Sequence, residues 1–156
     1  MAVLHSADTA STAHEVLHAA MLLMRSVSAH LRQTSKQPLA PAQLGTLLKI
    51  GAGPCTLSEL ARHQAVSLPT VSRSVDMLVR RGWVERTMDD TDRRQMLLGL
   101  TEQGREVLAD VKARAEQHIA AKLSSMSSSD RADLAGAAGL LASVFTDRSA
   151  ARDSSG

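Results

Sequence analysis

Apolar positions recur at helical spacing along most of this chain and shift to a shorter period only once. Thr12-Ala13-His14-Glu15 has the form of a capping box. Behind it Val16, Leu17, Ala20, Met21, Met24, Val27 and Leu31 follow one helical stripe to about Ser35. Leu22 and Leu23 widen the apolar surface, so this helix needs more than one neighbour. Past a connector holding Pro38 and Pro41, Leu44, Leu47 and Leu48 predict a helix from Pro41 to Ile50 that stops at Gly51. A second capping box, Thr56-Leu57-Ser58-Glu59, opens a short helix to Gln64. After the turn Ala65-Val66, Ser67 serves as N-cap for a helix with Val71, Val75 and Leu78 on its buried stripe and Gly82 as its stop. Residues 83–88 and 95–100 then read as two strands around a turn, 89–94, that has no apolar residue. Thr101 caps a long helix, 102–124, whose stripe is Leu108, Val111, Ala115, Ile119 and Leu123. A last helix starts in a capping-box-like run at Ser127 and carries Leu134, Ala138, Leu141 and Phe145.

The fold expected from these elements is mainly α with a small β-hairpin (α+β). A helix, a short turn, a second helix and a hairpin make a winged helix-turn-helix lobe, residues 36–101. An N-terminal helix, 12–35, and C-terminal helices, 102–146, flank it, while 1–11 and 147–156 are expected to be disordered.

The helix opened by Ser67 has a second, polar face. Ser67, Leu68, Pro69, Thr70, Ser72 and Arg73 crowd its N-terminal end, where free N–H groups and an arginine can meet phosphate and short side chains let a helix enter the major groove. Alone, the same pattern fits a solvated helix of any small domain. The wing tip adds Asp92, Arg93 and Arg94, with arginine suited to the narrow, negative minor groove and Asp92 placed to orient Arg94. Net charge is only +2, so the positive field is local: residues 62–94 hold seven arginines against five acids. With no tyrosine, one tryptophan and one phenylalanine, base stacking on aromatic side chains is poorly supported. Duplex DNA is the partner these features favour.

Here the chain resembles the MarR family of bacterial winged-helix transcriptional regulators. Asp92, Arg94, Leu100 and Thr101 match its wing signature, and Leu57-Ser58-Glu59-Leu60-Ala61 and Thr70-Val71-Ser72-Arg73, with Val75, Asp76 and Leu78, also look like its pattern. The resemblance covers roughly residues 12–146. It implies a homodimer held by the terminal helices, a duplex site with two half-sites, and a small-molecule effector, apolar or aromatic, that releases the DNA. Repression follows as the expected mode. The breadth of apolar surface on the terminal helices argues the same way, with Val16, Leu17, Met21, Leu134, Leu141 and Phe145 as the dimerisation set. Two recognition helices about 34 Å apart would then address a pseudo-palindromic operator.

Other readings are weaker. Met21, Met24 and Met96 suit an adaptable effector pocket, but plain core is the ordinary role of such residues. The lone Cys55 excludes an internal disulfide; it precedes an N-cap, where a helix dipole can lower its pKa, yet a bystander thiol fits better than a sensor. His14 and His18 have chelating i, i+4 spacing, with His30 and His118 as further candidates, but no carboxylate or cysteine completes a site, so no metal and no cofactor are expected. No nucleophile motif, phosphate loop or paired carboxylate marks an enzyme. No signal peptide or membrane span is visible, which makes a cytoplasmic location the expectation. The alternative function is a winged-helix protein-interaction module without sequence-specific DNA binding.

Overall fold

Six helices and three short strands follow one another in the computed structural model, which describes residues 2–35 and 38–145. They are α1 (Ala2–Thr34), α2 (Pro41–Ala52), β1 (Cys55–Thr56), α3 (Leu57–Gln64), α4 (Leu68–Arg80), β2 (Val84–Met88), β3 (Met96–Leu100), α5 (Glu102–Leu123) and α6 (Ser128–Phe145). The tail expected to be disordered, 147–156, lies outside the described residues. The chain divides into two compact units, residues 1–118 and 119–156.

The first unit is built on one core. Leu47 and Ile50 of α2, Leu60 and Ala61 of α3, and Val71, Val75 and Leu78 of α4 close around Trp83, Val84, Leu98, Leu100 and Leu108, all buried. The hairpin pairs Val84 with Leu100 and Met88 with Met96, antiparallel. It is not alone. β1 adds a third strand on the far edge of β3, Cys55 facing Leu98, for the order β1-β3-β2. Two residues are too few to show a strand period, and Thr56 also has a capping role that hides its pairing.

Two of the expected helix ends move. Thr12 is not an N-cap: its hydroxyl donates to the Asp8 carbonyl at 2.9 Å, one turn back in a helix that already began at Ala2. The expectation of a disordered 1–11 therefore fails over residues 2–11, which are helical. Gly51 does not stop α2. It lies inside the helix, where a Cβ would come 2.6 Å from Leu108 Cδ2 and 3.3 Å from Leu100 Cδ1, so it is a point of close approach to α5 and β3. The end comes at Gly53. The other ends match. Thr56 and Glu59 form a reciprocal capping box, Thr101 Oγ1 accepts from Gly104 N–H, Ser127 Oγ accepts from Asp130 N–H, and Gly82 turns the chain at φ +73.

In the second unit α6 has no buried residue. Leu134, Leu141 and Phe145 are 43%, 39% and 75% exposed. In the first unit Val16 is half-buried, whereas Leu17 and Met21 of α1 are 61% and 63% exposed. In the single chain the side chains assigned to dimerisation remain largely in solvent.

Candidate nucleic-acid interface

The helix-turn-helix is α3, a turn and α4. Its turn is tight: Ala65 adopts the left-handed conformation at φ 52, with its N–H and that of Val66 closing back on α3. Gln64 Nε2 donates to Thr46 Oγ1 at 2.9 Å, and Gln43 Nε2 to Met77 Sδ at 2.8 Å, so polar side chains of α2 join α3 and α4. Gln43 and Thr46 are nevertheless buried, each hydrogen-bonded.

With Val71, Val75 and Leu78 in the core, α4 turns its N-terminal tip outward. Ser67, Leu68, Pro69, Thr70 and Arg73 are exposed and Ser72 is half-buried. Ser67 sits at the N-cap in extended conformation, but its side chain makes no capping bond. Its hydroxyl lies 2.9 Å from that of Thr70 instead. The two first-turn hydroxyls therefore form one polar spot, and Pro69 removes a donor the helix would leave unused.

The wing tip is shaped by two aspartates. Asp89 Oδ1 accepts from Thr91 N–H at 2.7 Å and Thr91 Oγ1 at 2.6 Å, bonds that hold its carboxyl below the usual range. Asp92 accepts from Arg94 N–H at 3.0 Å and from Gln95 Nε2 at 3.1 Å. Asp92 thus sets the turn's backbone and does not hold the Arg94 guanidinium, contrary to the role expected from spacing. Among the described residues, the guanidinium groups of Arg73, Arg93 and Arg94 have no hydrogen-bond or ion-pair partner. Three exposed cations, one on α4 and two in the turn between β2 and β3, face solvent unneutralised.

Below these tips, Arg86 Nη2 of β2 meets Asp76 Oδ1 of α4 at 2.6 Å. That pair ties the helix to the hairpin and was not foreseen, because the two residues belong to different elements ten positions apart, and the pattern holding Asp76 names no partner for it. Arg62 of α3 was also passed over. It is exposed and lines a groove with Arg94, Gln95 and the N-terminal turn of α3.

The MarR family's sequence profile matches residues 37–95, the span from the connector to the wing. That lobe is similar to the DNA-binding lobe of the MarR family. An HTH-type transcriptional regulator of Mycobacterium bovis is 27% identical over 81% of this chain and 90% of its own length. The transcriptional repressor MprA of Escherichia coli K12 is 44% identical over 54 residues, 35% of this chain and 31% of that one. The structure of a MarR family protein from Bacillus stearothermophilus superposes with a TM-score of 0.76 at 21% identity, covering 90% of this chain and 96% of that one. The winged helix-turn-helix fold is thereby shared across nearly the whole length.

The remaining candidates lie elsewhere in the chain. Cys55 is buried at 3% exposure, and burial pushes its thiol up; Lys49 opposes and Glu59 reinforces that shift. The helix-dipole lowering considered from the sequence is overridden. Met21, Met24 and Met96 are 63%, 58% and 47% exposed, so none is core, and Met96 lines the groove that holds Arg62, Arg94 and Gln95. His14 and His18 stack at 6.4 Å between centroids. Among the described residues, no group of three or more His, Cys, Asp or Glu is placed to hold a metal, and no helix is long and apolar enough to cross a membrane. A small cavity of about 30 Å³ between α1, α2 and α5 has Leu31, Leu39, Leu44 and Val111 on its walls, with Arg32 and Arg114 among them.

Proposed function

We propose that this regulator binds duplex DNA sequence-specifically as a homodimer, represses from a pseudo-palindromic operator, and is released by a small effector. The observation that carries it is the set of unneutralised arginines, Arg73 on the tip of α4 and Arg93 and Arg94 on the wing, held by elements whose other faces are locked in the core. In this reading Ser67, Leu68, Pro69, Thr70, Ser72 and Arg73 enter the major groove. Short side chains there permit close approach, and Arg73 reaches a base edge or phosphate. Arg93 and Arg94 follow the flanking minor groove, with Asp92 shaping the loop that presents them.

The homodimer is supported by the solvent exposure of Leu17, Met21, Leu134, Leu141 and Phe145, a repeated apolar surface that a two-fold partner would cover. The terminal helices are the proposed dimerisation segments and 36–101 the proposed DNA-binding lobe. For the effector, the cavity walled by Leu31, Leu39, Leu44 and Val111 favours an apolar or aromatic molecule. At about 30 Å³ it holds about two waters. Effector entry would therefore open it and shift α1 or α5 against α2, the kind of movement that lowers DNA affinity.

Footprinting on the DNA upstream of the protein's own gene, at near-physiological salt with competitor DNA, tests the reading. A protected pseudo-palindrome is the expected result. Sequence-indifferent binding that vanishes with salt would remove the sequence-specific reading. No binding at any salt would favour a protein-interaction module.

A further inference from the structure

A groove of the first unit runs between α3 and the wing. Ser58, Glu59 and Arg62 of α3 form one wall, and Arg94, Gln95 and Met96 form the other. Its volume is about 560 Å³, against about 30 Å³ for the cavity between α1, α2 and α5, so it admits a length of chain and not only an ion. Among the described residues Glu59 is the one carboxylate on these walls, and it is already engaged. Its Oε2 accepts from Thr56 N–H at 2.7 Å and from Thr56 Oγ1 at 3.1 Å. Those bonds, the backbone one first, hold its carboxyl below the usual range, and the Arg62 charge adds less. Arg62 follows Glu59 by three residues, a spacing that favours an ion pair on a helix, yet none forms. Gln95 is likewise turned away, to Asp92 at 3.1 Å. Among the described residues the guanidinium groups of Arg62 and Arg94 have no hydrogen-bond or ion-pair partner, so the groove keeps a cation on each wall.

We infer that this groove seats the sugar-phosphate backbone of duplex DNA, with Arg62 donating to a phosphate of the strand that separates the major groove taken by α4 from the minor groove taken by the wing. Adjacent major and minor grooves share one backbone, so a lobe that enters both must straddle it. The helix α3 is placed for that crossing. Only Ala65, Val66 and Ser67 separate it from α4, while its N-terminal turn shares the groove with the wing. A guanidinium suits the task, since its forked donors match two phosphate oxygens. Arg94 closes the far wall, between that phosphate and the minor groove. The Ser58 hydroxyl, exposed in the first turn of α3, supplies a neutral donor beside Arg62. Contacts of this kind fix the register of the protein on the duplex and carry no sequence information.

Such a clamp rests on the duplex binding proposed above, but not on its sequence specificity. It is tested by the salt dependence of binding in full-length Arg62→Gln and Arg62→Lys, both exposed substitutions outside the core. The probes are a mixed-sequence duplex of about 30 base pairs, about three helical turns, and the segment footprinted upstream of the protein's own gene. Arg62→Gln is expected to bind both at least about tenfold more weakly at about 50 mM salt. Its slope of log K against log salt should be shallower by about 1.8, about 0.9 for each of two half-sites. The ratio of the two affinities should stay as in the wild type, and Arg62→Lys should restore the slope. Wild-type slope and affinity in Arg62→Gln, while Arg73→Ala binds weakly, would overturn the clamp and leave the DNA reading standing. A loss confined to the footprinted segment would make Arg62 a base reader and overturn the clamp, as would a shallow slope in Arg62→Lys. Wild-type protein that binds neither duplex at any salt would overturn the clamp and the DNA reading together.

Discussion

A Cβ added to Gly104 would lie 1.9 Å from the Trp83 carbonyl oxygen and 2.8 Å from its carbon. Both are main-chain atoms at the start of β2, and that same carbonyl accepts from Thr101 N–H. No side-chain rotation relieves such a clash, so the start of α5 would have to leave the hairpin. Gly104→Ala is expected to cost about 3 kcal/mol in urea denaturation, the upper part of the range for overpacking. Trp83 fluorescence provides the signal. In the sequence this glycine is one of nine and sits inside a helix, where it reads only as a weak helix former. Its reason lies in the approach of another element. The thiol of Cys55 makes the complementary case. Burial and its raised pKa predict negligible reaction with a thiol reagent in the native protein near pH 7, accelerating on unfolding and at pH well above the ordinary thiol range. Fast native labelling at neutral pH would reopen the sensor reading.

At the scale of elements, local chemistry was legible where it is complete within a few residues. Thr56 accepts from Glu59 N–H at 3.2 Å and donates its own N–H to Glu59 Oε2 at 2.7 Å, as the four-residue pattern predicts. The identical pattern at Thr12 failed, because nothing in residues 8–11 stops a helix from running through it. Thr56→Ala is expected to destabilise by about 1 kcal/mol. Glu59, its carboxyl lowered chiefly by the Thr56 backbone bond, adds a pH signature. Its contribution is complete above the ordinary Glu range near about 4.3 and is lost as pH falls through its lower folded value. Comparing wild type with Glu59→Gln in denaturation at neutral and acid pH should show a smaller acid loss in the variant. For the wing, the charge pattern was visible while its wiring was not. Asp92 stands two residues before Arg94 and bonds its backbone, so Arg94 stays available. Arg94→Ala should leave stability within about 0.5 kcal/mol. It should weaken operator binding several-fold in gel shifts, and unchanged affinity would take the wing out of the interface.

For the whole molecule, the decisive quantity is the apolar surface left over once the lobe has folded. The lobe's core closes around Trp83, and hydrophobic spacing was enough to place Val71, Val75, Leu78 and Leu108 in it. The same spacing placed Leu134, Leu141 and Phe145 on one stripe, yet one copy of the chain leaves them 43%, 39% and 75% exposed. Periodicity reports that a face seeks cover without saying which chain supplies it, and that is why the assembly was not legible at the level of the core. Exposed Leu17, Met21, Leu22, Leu23 and Met24 on α1 repeat the pattern at the other terminus. A monomer would keep both faces in water, and burying a single such side chain is worth about 1.5–3 kcal/mol. A charge at the centre of either face should therefore cost the dimer several kcal/mol, since it would be buried without a partner. Leu17→Glu and Leu141→Glu are expected to shift sedimentation from a dimer to a monomer, or to raise the dissociation constant by at least about a hundredfold. Their hairpin and α4 should stay protected from hydrogen exchange, because neither residue belongs to the core of the lobe. A wild-type protein that sediments as a monomer at micromolar concentration would defeat the homodimer, and with it the two-half-site operator that depends on a two-fold axis.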